Sequence, residues 1–341
     1  MTGALMRAEI GQQPEALSRL LAAPGPVEDI AARIRAAAPR FVLLAARGTS
    51  DHAALYAKYL IETTLGLPCG LASTSVYTAY DRQPSLDGVL WVAVSQSGGS
   101  PDLVESTERA RAGGALTLSV TNTSDSPLGR VNELGLDILA GPERSVAATK
   151  TYTSSLLALW LLVRAWAELD RRPADRLVDD VDAALTAGVE EVASRYRFVD
   201  KLVTTSRGYA YPTAREAALK LMETCYLSAH AYSGADLLHG PLAMVDQDRP
   251  VIAVVPEGAG GRALEPVLAA LEERGADICL VAPPTIAHAT PTRIVLPVGM
   301  DEQLAPIVQI VPLQRLACAM AVGRGFDPDQ PRGLKKVTQT F

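Results

Sequence analysis

A chain of 341 residues, 48% of them hydrophobic, is long enough for two α/β domains with substantial cores. Its net charge of −6 and the lack of any Lys/Arg block argue against a nucleic-acid or membrane-surface partner. The N-terminus, with Glu9 and Gln12-Gln13, does not read as a signal peptide, no apolar run reads as long enough to span a membrane, and Cys69, Cys225, Cys279 and Cys318 are widely spaced, so reduced thiols and a cytoplasmic location are expected.

In chain order, residues 4–22 read as an amphipathic helix carrying Leu17, Leu20 and Leu21, ended by Pro24-Gly25-Pro26. A helix through Ile30 and Ile34 leads to a buried strand at 41–46, then Arg47-Gly48-Thr49-Ser50-Asp51 and a helix over about 52–62. A short strand is expected within 67–73 and a strongly apolar one at 89–94. Ser95-Gln96-Ser97-Gly98-Gly99-Ser100-Pro101 follows, with Ser100 suited to the N-cap of the next helix, Pro101 to its first position and Asp102 to the positive end of its dipole. A strand at 116–120, an edge strand at 137–139 and a long helix from Ala147 or Thr149 toward Leu169 complete the first half. After Arg171-Arg172-Pro173 a charged helical stretch, about 175–196, reads as a connector.

The pattern then restarts: a strand at 201–205, a helix over 212–225, a strand at 251–256, a helix over 262–274, strands at 277–282 and 293–296, and a final helix over 305–323. Strands alternating with helices predict an α/β fold of two doubly wound parallel sheets, a divergent internal repeat. The predicted organisation is an N-terminal helix (1–23), a first domain (24–170), a connector (171–196), a second domain (197–325) and a tail (326–341).

Two strand–hydroxyl turn–helix units in the first half can face one ligand across a switch point, where backbone N–H groups at a helix N-terminus favour an anion. Taken alone, the turn at 95–100 reads equally as a small polar turn with no ligand. Neither turn is a Walker loop or a Gly-x-Gly-x-x-Gly fingerprint, so a phosphate on a small molecule is favoured over a nucleotide. In the second half Glu257-Gly258-Ala259-Gly260-Gly261 has lost the hydroxyls and gained a carboxylate that would repel phosphate, which places the anion site in the first half only.

Lys220 and Glu223 fall on one helical face, where a solvated ion pair is the plainer reading. His239, in Leu238-His239-Gly240-Pro241, is either a buried hydrogen-bonded histidine or a proton shuttle near neutral pH. The tail, with Leu334, Lys335 and Lys336, is either a locally packed surface segment or a lid bringing Lys336 over a ligand as an amine nucleophile. His52, His230, His239 and His288 show no zinc-like pairing; neither metal nor cofactor is expected.

In this order, Glu9-Ile10…Gln13-Pro14, Gly48-Thr49-Ser50, Ser95-Gln96-Ser97-Gly98, Val146-Ala147-Ala148-Thr149-Lys150, Ala218 to Glu223, Leu238-His239-Gly240-Pro241-Leu242 and Asp329-Gln330-Pro331-Arg332 resemble the isomerase half of glucosamine-6-phosphate synthase, built from two sugar isomerase (SIS) domains, and the related free-standing deaminases and deglycases. The resemblance implies flavodoxin-like domains with a C-terminal tail over the active site. It implies that Ser50, Ser95, Gln96, Ser97 and Ser100 hold a sugar phosphate, with Gly48, Thr49, Val146, Ala148 and Lys335 completing the binding set. Glu223 is implied as the base moving a proton between C1 and C2, Lys220 as its support, His239 as the ring opener and Lys336 as the amine that forms an iminium with a ketose carbonyl. A homodimer is implied, with His239 reaching the neighbouring copy's site.

The chain departs from the pattern at Gly99 and Ser100, where the synthase commonly has Glu and Thr, at Ala148, where it commonly has Ser, and in lacking a glutaminase domain. The tail around Lys335-Lys336-Val337-Thr338 reads more like the deaminase-type members. The expected reaction is deamination or isomerisation of an amino-hexose 6-phosphate, glucosamine 6-phosphate foremost, toward fructose 6-phosphate. Alternatives are dehydration of N-acetylglucosamine 6-phosphate, through C2 proton abstraction and loss of the C3 hydroxyl, and a non-catalytic sugar-phosphate-binding regulator.

Overall fold

The computed structural model of the chain describes residues 2–336, so Val337 and Thr338 of the expected tail lie outside the described residues. The described residues divide into two compact units, one holding Glu15–Glu143, Lys150–Arg172, Lys335 and Lys336, the other residues 2–14, Arg144–Thr149 and Pro173–Leu334.

In the first unit β1 (Phe41–Ala45), β2 (Cys69–Leu71), β3 (Val89–Val94), β4 (Leu116–Thr121) and β5 (Leu134–Asp137) form a parallel sheet in the order β2-β1-β3-β4-β5. Strands β1 and β3 are apolar along their length, as strands of a parallel sheet covered on both faces are, whereas β4 alternates apolar residues with buried Thr117, Ser119 and Thr121. Trp91 on β3 is fully buried, its indole N–H donates to Thr107 Oγ1 at 3.0 Å, and Tyr77 meets its ring edge-on at 5.5 Å. Helix Lys150–Trp166 is buried along almost its whole length and packs on helices Pro24–Ala37 and Thr49–Leu60.

In the second unit β6 (Lys201–Ser206), β7 (Ser228–Ser233), β8 (Val251–Val254), β9 (Ile278–Ala282) and β10 (Thr292–Val295) repeat the arrangement, in the order β10-β9-β8-β6-β7. Each sheet therefore has one switch point, between β1 and β3 in the first and β6 and β8 in the second. Helices Leu177–Leu185, Glu190–Tyr196 and Tyr211–Cys225 pack on helix Ala305–Gly323. That last helix corrects one expectation: at 19 residues it is long and apolar enough to cross a membrane, but 83% of its apolar window is buried inside the protein, as the centre of a helical layer would be.

Local departures have identifiable causes. The first helix is two, Ala4–Gly11 and Gln13–Leu21, divided at Gln12. Strand β5 ends at Asp137 because that carboxylate accepts the Leu139 N–H at 2.8 Å and Leu139 turns into the left-handed region at φ 51°. Strand β7, Ser-Ala-His-Ala-Tyr-Ser, escapes the sequence reading because it is a polar edge strand that, among the described residues, pairs with β6 alone.

Candidate active site

The carboxyl ends of β1 and β3 lie side by side, since Ala45 pairs with Ala93. From β1 the chain enters Gly48, at φ 55° and ψ −129°, and then helix Thr49–Leu60, so Thr49 and Ser50 occupy the first helical turn, half-buried. From β3 it enters the 95–100 turn, in which Ser95 Oγ accepts the Gly98 N–H at 3.2 Å and Ser97 Oγ accepts the Gly99 N–H at 3.3 Å. A hydroxyl that accepts still has its own proton to donate. Ser95 is buried and shapes the turn, whereas Gln96, Ser97 and Ser100 are half-buried. Gly98 sits at φ 61°, and a Cβ there would overlap Ser126 Oγ, so the turn admits only glycine. Ser100 is the N-cap of helix Pro101–Ala112, as expected, but its hydroxyl makes no capping hydrogen bond.

Arg47, overlooked in the sequence, braces these turns. Its guanidinium pairs with buried Asp102 at 2.8 Å, on the helix that follows the 95–100 turn, and also reaches Thr74 Oγ1. The only signal was a cation directly before Gly48. Gln96 lines a cavity of about 590 Å³ with Arg19, Asn122, Thr123, Asp137 and Glu143. Glu143 is the second overlooked residue. Its fully buried carboxylate receives the Thr151 N–H at 3.1 Å, the Thr151 hydroxyl at 2.7 Å and the Lys336 ammonium at 2.8 Å. No local pattern could have paired residues 193 positions apart. Lys335 is exposed beside it.

In the second unit, helix Tyr211–Cys225 sets Glu216, Lys220 and Glu223 on one face. Lys220 is not the solvated surface residue of the plainer reading: its side chain is 0% exposed, 3.3 Å from Glu216, also 0% exposed, and 2.5 Å from Glu223, which is 22% exposed. Burial alone pulls the Lys220 ammonium toward neutrality, but the charges of Glu216 and Glu223 outweigh it and its pKa rises above the ordinary lysine value. Lys220 is therefore a fixed cation and Glu223 its solvent-facing partner. Glu216 was legible as an i, i+4 partner of Lys220 and was passed over.

His239 follows helix Gly234–Leu238 and is exposed, with Leu238 exposed before it, so the buried-histidine reading fails. Val146 and Ala148 are half-buried in the segment Arg144–Thr149. The N-terminal motif fixes that segment: the Glu9 carboxylate accepts the Arg144 and Ser145 N–H groups, and Gln13 donates to Gln314, which donates to the Thr149 carbonyl at 3.2 Å.

At the second switch point Glu257 is not the residue that faces the loop amides. Its oxygens accept the Thr285 hydroxyl at 2.6 Å and the Gly299 N–H at 2.7 Å. Glu302 takes the place instead, accepting the Ala259 N–H at 3.0 Å and the Gly260 N–H at 2.7 Å.

The four cysteines are free and buried, and burial first of all holds their thiols protonated, with Cys69 and Cys279 pushed up to about 12 and Cys225 to about 11. Among the described residues no cluster of His, Cys, Asp and Glu could hold a metal ion.

Residues 37–165 and 197–324 each match the SIS domain family, and the chain belongs to it. It is 35% identical to the isomerizing glutamine–fructose-6-phosphate aminotransferase of Methanothermobacter thermautotrophicus over 97% of its own length and 56% of that protein's, so it spans little more than half of this relative. Among solved structures it resembles a protein from Silicibacter pomeroyi provisionally assigned as a phosphosugar isomerase, at 38% identity and a TM-score of 0.88, covering 96% of this chain and 100% of that one. It also resembles the C-terminal domain of glucosamine-fructose-6-phosphate aminotransferase from Francisella tularensis, at 30% identity and a TM-score of 0.86, covering 96% and 98%. The chain is thus related to isomerase-type sugar-phosphate proteins.

Proposed function

We propose that this protein is a phosphosugar enzyme that opens the ring of an amino-hexose 6-phosphate, glucosamine 6-phosphate in the first instance, and moves its C2 proton, with ammonia leaving toward fructose 6-phosphate. The observation that carries this reading is the Glu216–Lys220–Glu223 set: a buried ammonium fixed between two carboxylates, of which Glu223 keeps access to solvent. A structural ion pair needs no such opening; a base does. The names of the aminotransferase relatives support the substrate class: one joins fructose 6-phosphate to isomerisation, the other names glucosamine and fructose 6-phosphate together.

In this reading Ser50, Ser97, Ser100 and Gln96 donate to the phosphate, which positions C1 and C2 by binding a remote group. His239 moves the proton that opens the ring. Opening creates a C1 carbonyl, which acidifies the C2 proton for Glu223. The C2 nitrogen becomes an imine, and water or Lys336 displaces ammonia. The protein works as a homodimer in which His239 serves the neighbouring copy; its exposure, beside exposed Leu238, supports this role.

Incubation with glucosamine 6-phosphate should yield ammonia and fructose 6-phosphate, and Glu223→Gln should lower the rate by about 10³-fold. No product from the wild type ends the reading. Loss of water from N-acetylglucosamine 6-phosphate without ammonia from the free amine would replace deamination by dehydration, and binding without turnover would make the protein a regulator. Mixing inactive His239→Ala with inactive Glu223→Gln should restore part of the activity.

A further inference from the structure

We propose that Glu143 is the positioning residue of Lys336 and the acceptor of its proton, so that the pair, rather than the lysine alone, makes the nucleophile. This rests on the reading above and concerns its lysine step only.

A lysine that donates to a buried carboxylate stands as an ammonium and has no lone pair with which to attack carbon. Glu143 Oε2 lies 2.8 Å from Lys336 Nζ, at ordinary hydrogen-bond length, and so receives the proton that must leave. The carboxylate is itself fixed, because Thr151 holds one oxygen through its N–H and the other through its hydroxyl. Those two bonds keep the carboxyl group in place whether or not it carries the proton. Glu143 also lines the same cavity as Gln96 of the phosphate turn, and about 590 Å³ is within the range of small-molecule sites.

The step balances without a further reactant. The Lys336 ammonium gives one proton to Glu143, leaving a neutral amine and a carboxylic acid. The amine lone pair forms a bond to C2 of fructose 6-phosphate while the C=O π pair moves to oxygen, and that oxygen collects the proton released from nitrogen. The resulting carbinolamine takes the proton from Glu143, its C–O bond breaks, water leaves, and a protonated iminium faces a carboxylate once more. In the deamination direction the neutral amine adds to the C2 imine and ammonia leaves instead.

The test uses the full-length protein with fructose 6-phosphate and sodium borohydride, which reduces the iminium to a stable secondary amine on the Lys336 peptide. Glu143→Gln keeps an acceptor oxygen for Lys336 but cannot take a proton. It should slow adduct formation by about 100-fold while leaving KM for glucosamine 6-phosphate within about 3-fold. Glu143→Asp, which keeps the acid, should recover most of that rate. Thr151→Val leaves the acid and removes its 2.7 Å donor, and should slow trapping several-fold, which keeps the test open if Glu143→Gln does not fold. A wild-type trapping rate in either folded variant overturns the proposal, as does turnover by the wild type with no adduct on Lys336, which would leave the Glu223 reading intact. Adduct formation without any consumption of glucosamine 6-phosphate would instead sink the proposed reaction and leave the pair standing.

Discussion

The two sheets share one strand order, yet their switch points are furnished in opposite ways. Between β1 and β3 the turns present half-buried hydroxyls and a side-chain amide, with Arg47 bracing the two helix starts. Between β6 and β8 a carboxylate of the chain itself, Glu302, sits on the loop amides, and the backbone closes in until a Cβ on Gly260 would lie 2.8 Å from the Arg207 carbonyl oxygen. Backbone N–H groups at such turns favour negative charge whatever the side chains are. A duplicated fold can answer that demand with its own carboxylate or leave it to a ligand. The second unit, whose loop amides are met by Glu302, also carries the buried ion cluster of Lys220.

The largest test of this contrast removes a cation from each unit. Lys220→Met leaves Glu216 and Glu223 without their buried partner and should cost about 3–5 kcal/mol in urea unfolding. Adding Glu216→Gln should return part of that loss. Arg47→Ala removes a half-exposed guanidinium and should cost about 1 kcal/mol or less, while raising KM for the sugar phosphate by misaligning the turns. Equal stability losses would contradict the burial assigned to Lys220.

Next in size are the glycines. Gly98→Ala meets both a left-handed φ and Ser126, and Gly260→Ala meets the Arg207 carbonyl, so each should lose about 2 kcal/mol or more. KM for glucosamine 6-phosphate should rise only in Gly98→Ala. A rise of similar size in Gly260→Ala would bring the second switch point into substrate binding.

How far these features could be read from sequence follows from the range of the interactions. Buried parallel strands such as Val89–Val94 announce themselves, because covering on both faces leaves no polar alternation. The 95–100 turn is legible because its glycine, hydroxyls and Ser100-Pro101 helix start are consecutive. The Lys220 cluster was half legible: helical spacing gave the pair, but spacing cannot say which face is buried, and it is the pairing with both Glu216 and Glu223 inside the fold that keeps buried Lys220 a fixed cation. Glu143 and Glu302 were illegible, since each acts on a partner dozens to hundreds of positions away that only the fold supplies. The second turn illustrates the risk. The expectation of a second turn that repels phosphate rests on Glu257, whose oxygens are turned to Thr285 and Gly299, while Glu302 is the carboxylate that meets the loop amides.

Glu302→Ala should cost about 1–3 kcal/mol, because it strips the acceptor from two loop N–H groups, with kcat and KM unchanged. A change in KM alone, with stability intact, would mean that Glu302 acts on the ligand and not on the loop.

The smallest predicted effect compares the sheets through their thiols. Burial is the main cause that holds Cys279 on β9 and Cys69 on β2 up to about 12, with Asp277 adding to the first and Glu62 to the second, against an ordinary 9.0. Above pH 9 the unfolded chain releases these protons and the folded chain keeps them. The unfolded state then binds fewer protons, so stability falls as pH rises from 9 toward 12, by at most about 1.4 kcal/mol per pH unit for a fully buried thiol. Lys220 is protonated in both states below its ordinary 10.5, so it leaves the comparison at pH 8 and pH 10 largely untouched and adds to the fall only above that pH. At pH 8 under reducing conditions, Cys279→Ala should be about 1 kcal/mol less stable than the wild type, from lost packing. At pH 10 that gap should narrow by roughly 1 kcal/mol, because the variant no longer has a thiol to keep protonated. Cys69→Ala should behave the same way on a smaller scale, since β2 is the edge of its sheet while β9 lies inside its own. A gap that does not move with pH in either variant would show that these thiols ionise as readily in the folded chain as in the unfolded one.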